Sequence, residues 1–489
     1  MALVDQHAAM PSTPAQDAAT LFAARNELPA ADRLGFLADL PTDHPWLQAA
    51  DRLADAADSD DPDERRAGIA ALFGGLVEPL NDAFDRRGRD WYSRVFARII
   101  ARCAERRPEL SQALAAWQLA DEEALFSRHC RVRVEQQPVP DEVHRVAVLS
   151  RVTIGADVLL ASVVLQHSRR RWPEAELFLI GEQKLQPLLG GLAEVQVLPL
   201  SYARRGGLGE RLLTWTGLER CCREARIDLV LAPDSRLDQL GLLPVIAVER
   251  YRLWENLQPA GPPRGLADLA DDWCRSVLGT TGDPIVPRLG LDKVSRQRQR
   301  RLARALGPEP TIAVKLDHGG NPAKALPRTQ EIELLHRLRE SGWRILIDRG
   351  FGTAEIAASD ELMAALGWQP VDCSDQDPAC GRLIDELVEE SLADAAIIRL
   401  HGSIATWAAA VGACRAAFSY DSVGHHLAAA VGTPLISACT GWNDPVFPIA
   451  WRPCGRAPVH DYAIPAERRT DPELVTELVQ LIDQYGPRH

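Results

Sequence analysis

The sequence predicts an α/β protein in which two doubly wound, parallel sheet domains follow an all-α region. Three observations predict it. Short apolar runs rich in β-branched residues alternate with helical-period segments over residues 143–290 and again over 308–465. Residues 19–126 instead carry their apolar residues at three- and four-residue spacing. The texture changes at Gln136-Gln137-Pro138-Val139-Pro140, which has the composition of a linker. The 489 residues suffice for about three domains. The expected division is a disordered tail over 1–18, an all-α domain over 19–135, sheet domains over 140–290 and 308–465, a basic linker helix over 291–307 and a C-terminal helix over 466–489.

Composition narrows the function classes. A formal charge of −13 argues against a general nucleic-acid-binding surface. No apolar run approaches the ~20 residues that span a bilayer, which leaves peripheral membrane contact open. The opening residues lack a basic stretch followed by an apolar core, so a cytoplasmic location is expected. Ten scattered cysteines without a CxxC pair predict reduced thiols and no metal site.

Helices are expected over 19–27, 30–40, 45–57, 63–83, 91–106 and 109–120, divided by Pro41, the acidic run 58–63 and Pro108. The acidic run reads as a solvated loop. Nothing in this region implies chemistry. Residues 143–149 then read as a buried strand, 150–157 as a turn, 158–167 as a helix and 175–180 as the next strand, a βαβ unit. The basic run 169–171 reads as the solvated end of that helix. Asp157 reads either as a helix N-cap or as a carboxylate placed beyond a strand to take a proton. Further strands fall at 195–198 and 229–232. After the latter, Asp234, Ser235 and Arg236 read either as acceptor contacts or as a capped helix start.

In the second half, the cationic helix 292–306 either bridges the halves, is solvated, or pairs with acidic faces. A strand at 311–316 leads to a Gly- and Pro-containing loop with Lys324, which either neutralises a diphosphate or is an ordinary surface lysine. A strand at 343–347 precedes Glu355. Residues 368–381 read as an irregular acidic loop. His401, Gly402 and Ser403 sit between a strand and the helix 404–411, on the edge where open α/β sheets bind ligands. Asp421 and Ser422 are both good N-caps for a short apolar helix, 425–431, which Gly432 and Pro434 end. Exposed N–H groups there favour a phosphate, although an ordinary βαβ corner looks the same. The tail 471–484 reads as an amphipathic helix folded over the first half.

Asp421, Ser422, His426, Ala428 and Ala429 match the Asp-Ser/Thr-Gly-x-x-His-x-Ala-Ala run of the ADP-heptose-dependent heptosyltransferases, glycosyltransferase family 9. Val423 stands where that family has Gly, and Gly424 follows it. In the first half Arg151, Gly155, Asp157, Arg170, Arg171, Trp172 and Pro173 resemble the family's Arg-x-x-x-x-Gly-Asp and Arg-Arg-x-Tyr/Phe-Pro patterns, with Ala156 inserted before the Asp. Lys324 and Pro327 resemble its Lys-x-Trp-Pro, with Leu326 in place of Trp. The resemblance implies the GT-B architecture, two Rossmann-like domains facing a cleft, and inverting, metal-independent glycosyl transfer with Asp157 as general base. It places a donor diphosphate at Asp421, Ser422, Val423, Gly424 and His426 near Lys324. Glu355, His401, Gly402 and Ser403 lie on the donor side, and Arg151, Asp234 and Arg236 on the acceptor side. No cofactor is implied beyond the co-substrate, an ADP-heptose. The acceptor is a glycan, lipid-linked or protein hydroxyl, a lipopolysaccharide core in the family.

The departures at Ala156, Val423 and Leu326 also suit another nucleotide sugar, or a binding or scaffold protein that has lost catalysis. A nicotinamide-linked enzyme is disfavoured, because neither half has GxGxxG after its first strand.

Overall fold

The computed structural model describes residues 12–30, 32–134, 138–203, 206–319, 321–442 and 444–486. The chain forms two compact units, each built from separated segments. Residues 1–137, 201–225 and 235–258 make the first, and residues 138–200, 226–234 and 259–489 the second. The sequence suggested one contiguous body over 140–290. The two excursions join the helices instead, because their buried polar groups find partners there. Tyr92 donates to Gln239 Oε1 (3.0 Å), and Trp215 Nε1 donates to the Pro244 carbonyl (2.6 Å). The buried Arg89 guanidinium bonds to Asn81 and Asn256.

Within the first unit the helix Pro45–Ala57 has its expected ends, and the helix Arg86–Arg106 starts earlier than its apolar period suggested because Asp85 caps it. Of the tail expected over 1–18, residues 1–11 lie outside the described residues, and residues 14–18 are helical. Thr13 and Gln16 form a capping box, so a helix runs over Pro14–Ala24. Asp17 in that helix is buried and pairs with Arg52 at 2.7 Å. The acidic run is not wholly solvated either. Asp58 is buried, where it takes Arg107 (2.8 Å) and the Gly209 N–H (2.8 Å).

The strands, in chain order, are β1 (Arg145–Leu149), β2 (Glu176–Gly181), β3 (Gln196–Pro199), β4 (Leu229–Pro233), β5 (Tyr251–Trp254, within the first unit), β6 (Thr311–Lys315), β7 (Arg344–Asp348), β8 (Val371–Ser374), β9 (Arg382–Leu383), β10 (Ile397–His401), β11 (Ala416–Tyr420), β12 (Leu435–Cys439) and β13 (Val459–Ala463). In the second unit β3, β2, β1 and β4 lie side by side in that order, and a second sheet runs β13-β12-β11-β6-β7-β10-β8-β9. β1 pairs parallel with β2 and β4, and β6 pairs parallel with β7 and β11. Such strands are buried on both faces, which is why β1, β4, β6 and β11 read as unbroken apolar runs.

In each sheet the chain leaves its first strand in one direction and later returns to the other side of it. These switch points lie between β1 and β4 and between β6 and β11. Loops diverge at the carboxyl ends of such strand pairs and leave a crevice.

Three readings of the second unit change. Residues 371–374 and 382–383 form β8 and the edge strand β9; their polar residues hid the pattern. The Arg169 guanidinium donates to the carbonyls of Pro173, Ala175 and Ala193, and Arg170 to those of Thr281 and Asp283, so this run ties backbone segments together. The C-terminal helix Pro472–Ile482 packs on the helix Arg328–Glu340 of the second sheet, not over the first half. Its stripe Leu474, Val475, Leu478 and Ile482 joins the cluster of Leu334, Leu338 and Trp343.

Candidate active site

At the first switch point, Arg151 follows β1 and Asp234 follows β4. Arg151 Nε donates to the Asp234 carbonyl at 2.9 Å, and its guanidinium forms an ion pair with the Asp234 carboxylate. The same guanidinium lies 5.0 Å above the centre of the Trp451 ring. Asp234 is fully buried and has φ of +54°, a left-handed conformation that aspartate tolerates better than most residues. Of the three residues expected on the acceptor side, the structure joins Arg151 to Asp234. Arg236, half-buried, belongs to the first unit.

Asp157 is not an N-cap, since Thr153 occupies the cap position of the helical turn Ile154–Ala156. It opens a π-helical turn, Asp157–Ala161. Such a turn holds one residue more than an α turn, the amount by which Ala156 lengthens the motif, and π turns recur at functional sites. The Asp157 carboxylate is 1% exposed, accepting from Ser150 Oγ (2.6 Å) and the Arg151 N–H (2.7 Å). Burial pushes its pKa up to about 7, against the pull of those two hydrogen bonds.

At the second switch point, Lys324 Nζ lies 2.6 Å from Asp421 Oδ2 and 5.1 Å from the centre of the Phe447 ring. Ser422, rather than Asp421, caps the helix Val423–Val431, accepting from the Gly424 N–H at 3.3 Å. Val423 is the first residue of that right-handed helix and needs no left-handed backbone. The close approach falls at Gly424, where a Cβ would stand 2.6 Å from Ser419 Oγ and 2.7 Å from Lys315 Cδ.

His426 is buried, with its ring centre 4.0 Å from that of His425. A Cβ on Gly155 would stand 2.9 Å from His426 Cδ2, so the turns of the two motifs touch. His425 Nδ1 is 3.1 Å from Ser437 Oγ, and its Nε2 is 3.5 Å from Asp421 Oδ1. Burial, with Lys324 adding to it, pushes His425 down to about 3. Burial likewise pushes His426 well below its usual value, so both rings are neutral at pH 7. Burial, opposed by a hydrogen bond from Ser437 and reinforced by the charge of Asp421, raises Asp461 on β13 to about 6.

The remaining donor-side residues share the carboxyl edge of the second sheet. The exposed Glu355 accepts from the N–H groups of Phe351 (2.7 Å) and Gly352 (3.3 Å), which caps its own helix, Thr353–Leu366. His401 Nδ1 is 3.1 Å from the Gly350 carbonyl. Ser403 caps the helix Ile404–Val411, and its N–H, one residue after Gly402, donates to Asp375 Oδ2 at 2.9 Å. Asp375, from the segment read as an irregular loop, is buried there and held by Thr406 (2.6 Å) and Arg298 (3.3 Å).

Sequence reasoning missed Lys315 and Asp348, an ion pair at the ends of β6 and β7. Burial works against the Lys315 charge, but Asp348 more than offsets it and raises its pKa. A lone lysine closing an apolar strand was the available signal. His425, Ser437 and Asp461 were missed as well, because their contacts join the helix Val423–Val431 to the middles of β12 and β13.

Among the described residues, no group of three or more His, Cys, Asp or Glu is placed to hold a metal ion. No described helix is long and apolar enough to cross a membrane.

The two parallel sheets of the second unit, with helices between their strands, give it an α/β fold of two Rossmann-like halves. No protein-family model and no curated protein matches the sequence. Solved structures similar to the chain include E. coli ADP-heptose lipopolysaccharide heptosyltransferase II, with a TM-score of 0.47 and 17% identity over 70% of this chain and 99% of that one. A glycosyl transferase family 9 protein from Veillonella parvula DSM 2008 is similar with a TM-score of 0.49 and 12% identity, over 70% of this chain and 91% of that one. E. coli heptosyltransferase WaaC with ADP is similar with a TM-score of 0.48 and 16% identity, over 70% and 100% of the two chains.

Proposed function

We propose that the chain is an inverting glycosyltransferase that moves a heptose from ADP-heptose to a hydroxyl of a glycan, lipid-linked or protein acceptor in the cytoplasm. The observation that carries this reading is the contact of Gly155 with His426, which brings the turn bearing Asp157 against the helix start beside Lys324 and Asp421. In this reading a base and a diphosphate site are neighbours.

In this reading the donor diphosphate sits at the start of the helix Val423–Val431, where N–H groups and the positive helix end favour it. Asp157, with a pKa near neutrality, accepts the acceptor hydroxyl's proton. The acceptor oxygen attacks the anomeric carbon from the side opposite the diphosphate. The bond from that carbon to the phosphate oxygen breaks, and its electron pair leaves with the diphosphate. Lys324 and the helix N–H groups offset the charge that develops there, so the reading assigns no metal. The lipopolysaccharide core is the acceptor that the motif resemblance favours.

One observation favours a second reading, a sugar-nucleotide-binding protein without catalysis. Asp157 is enclosed, and Ser150 and the Arg151 N–H occupy its two oxygens. Calorimetry with ADP, UDP, GDP and their sugars, followed by turnover of wild type and D157N, separates the two. Selective binding of ADP-heptose with turnover lost in D157N supports the transferase. Binding without turnover on any acceptor supports the second reading, and the absence of nucleotide binding overturns both.

A further inference from the structure

Within the second unit the chain reaches the second sheet through residues 259–310. Part of that connection is fixed along its backbone. The Val286 carbonyl accepts from Gln166 Nε2 (3.1 Å), and the Leu289 N–H donates to the Ala430 carbonyl (3.1 Å). The Gly290 N–H donates to the Leu188 carbonyl (2.9 Å), and its own carbonyl accepts from the Gly191 N–H (2.8 Å). A Cβ on Gly290 would stand 1.8 Å from the Leu192 nitrogen, so the two segments cross in contact. Beside this crossing lies a cavity of about 390 Å³. Its polar side chains are Arg288, Arg296 and Gln299, its apolar ones include Leu192, Leu289 and Val431, and no acidic residue lines it among the described residues. Val431 ends the helix Val423–Val431, which puts the cavity at the end opposite Ser422, about 13 Å along the axis.

The charges there are not balanced. Gly455, whose Cβ would stand 1.9 Å from the Ala429 carbonyl oxygen, brings the exposed Arg456 to the same helix end, where its charge acts on Arg288. None of Arg288, Arg296 and Arg456 has a carboxylate within ion-pair distance among the described residues. Asp292, midway between Arg288 and Arg296 in sequence, turns Oδ1 to the Ser295 N–H at 2.7 Å. Glu194, beside Ala193, is exposed and pairs with none of them. Burial, and then the charge of Arg456, push the Arg288 pKa down, the direction for a cation that lacks an anion. The negative end of the helix is worth about half a charge, too little to offset three guanidiniums.

We propose that this cavity binds a small phosphate ester, such as a sugar phosphate, at a site separate from the one read as the donor site. Guanidinium forks match phosphate oxygens, and a phosphate dianion supplies the charge the arginines lack. Leu192, Leu289 and Val431 give the ester's organic body an apolar wall, and the volume falls at the small end of ligand cavities. The walls come from the segment 191–193 after the first sheet's β2, from the connection and from a helix of the second sheet. A bound ester therefore joins the two halves of the unit.

The test is calorimetry of the full chain with glucose 6-phosphate and with inorganic phosphate. Wild type binds glucose 6-phosphate, and binds inorganic phosphate severalfold more weakly because it lacks the organic body. R288Q/R296Q lowers the affinity for glucose 6-phosphate more than about tenfold, with melting and ADP binding as in wild type. V431E, which keeps both arginines and places a carboxylate in the cavity, lowers it as well. K324A, altered at the donor site, binds the ester as wild type does, and so does R300Q, whose charge lies outside the cavity. Failure of wild type to bind, equal affinity for inorganic phosphate, loss in K324A with retention in R288Q/R296Q, or an equal loss in R300Q overturns the proposal. An absence of ADP binding bears on the transferase reading alone.

Discussion

Lys324 and Asp421 stand 97 residues apart in sequence and 2.6 Å apart in space, across the switch point of the second sheet. Arg151 and Asp234 form the corresponding pair across the first. Each pair closes the crevice that its sheet's topology opens. In the glycosyltransferase reading, an arriving diphosphate competes with Asp421 for Lys324.

K324A therefore weakens ADP binding by roughly 10- to 100-fold, the range set by one charge-assisted contact. D421N frees Lys324 from its partner and weakens binding less. Calorimetry on both variants checks the order, and equal losses would show that Asp421 itself contacts the ligand.

Asp157 predicts a pH dependence of stability. Its folded pKa of about 7 lies above the ordinary carboxylate value, so the folded chain holds the proton more tightly than the unfolded chain. The resulting stabilisation is complete below about pH 4 and is lost as pH rises through 7, amounting to roughly 4 kcal/mol at most. The midpoint of urea unfolding should fall between pH 5 and 8 in wild type, and fall less in D157N. If D157N also lowers turnover about 10²- to 10⁴-fold at pH 7 without loss of stability, the base assignment stands.

Gly424 and Val423 should answer oppositely to their places in the motif. G424A forces a Cβ into Ser419 and Lys315, and overpacking of this kind costs about 1–3 kcal/mol. V423G, which restores the family's residue, gains nothing and costs about 1 kcal/mol through helix propensity. Denaturant unfolding and nucleotide binding of the two variants, compared side by side, check this.

R151A removes the Arg151 guanidinium from the buried Asp234 carboxylate and should destabilise the chain by about 3–5 kcal/mol. R151K recovers little, because a lysine cannot reach both the Asp234 carbonyl and its carboxylate while lying on Trp451. Thermal melts of both variants measure the difference.

Much of the second unit was legible in the sequence because its strands are buried on both faces. β1, β4, β6 and β11 show as continuous apolar runs, and the helix Ile404–Val411 shows by its Ala-rich period and the Ser403 cap. The strand β8 and the edge strand β13 were not legible, since Asp372, His460 and Asp461 interrupt any apolar pattern. Asp421 and Ser422 were indistinguishable as caps by residue type. Only Lys324, from a distant loop, separates their roles. Glu355 was read toward a ligand, whereas its oxygen bonds two N–H groups at its own helix start, a local geometry that spacing does not reveal. The grouping of 201–225 and 235–258 with the helices depends on pairs such as Tyr92 with Gln239, and periodicity carries no information about such pairs.

The interleaving of the two units bears on biosynthesis. The first unit is not complete until residue 258 has left the ribosome, by which point β1 to β4 have already emerged. A nascent or truncated chain ending before the excursions would bury Arg89 without Asn256 and Tyr92 without Gln239. The N-terminal helices are therefore not a detachable module that could be grafted, deleted or expressed alone.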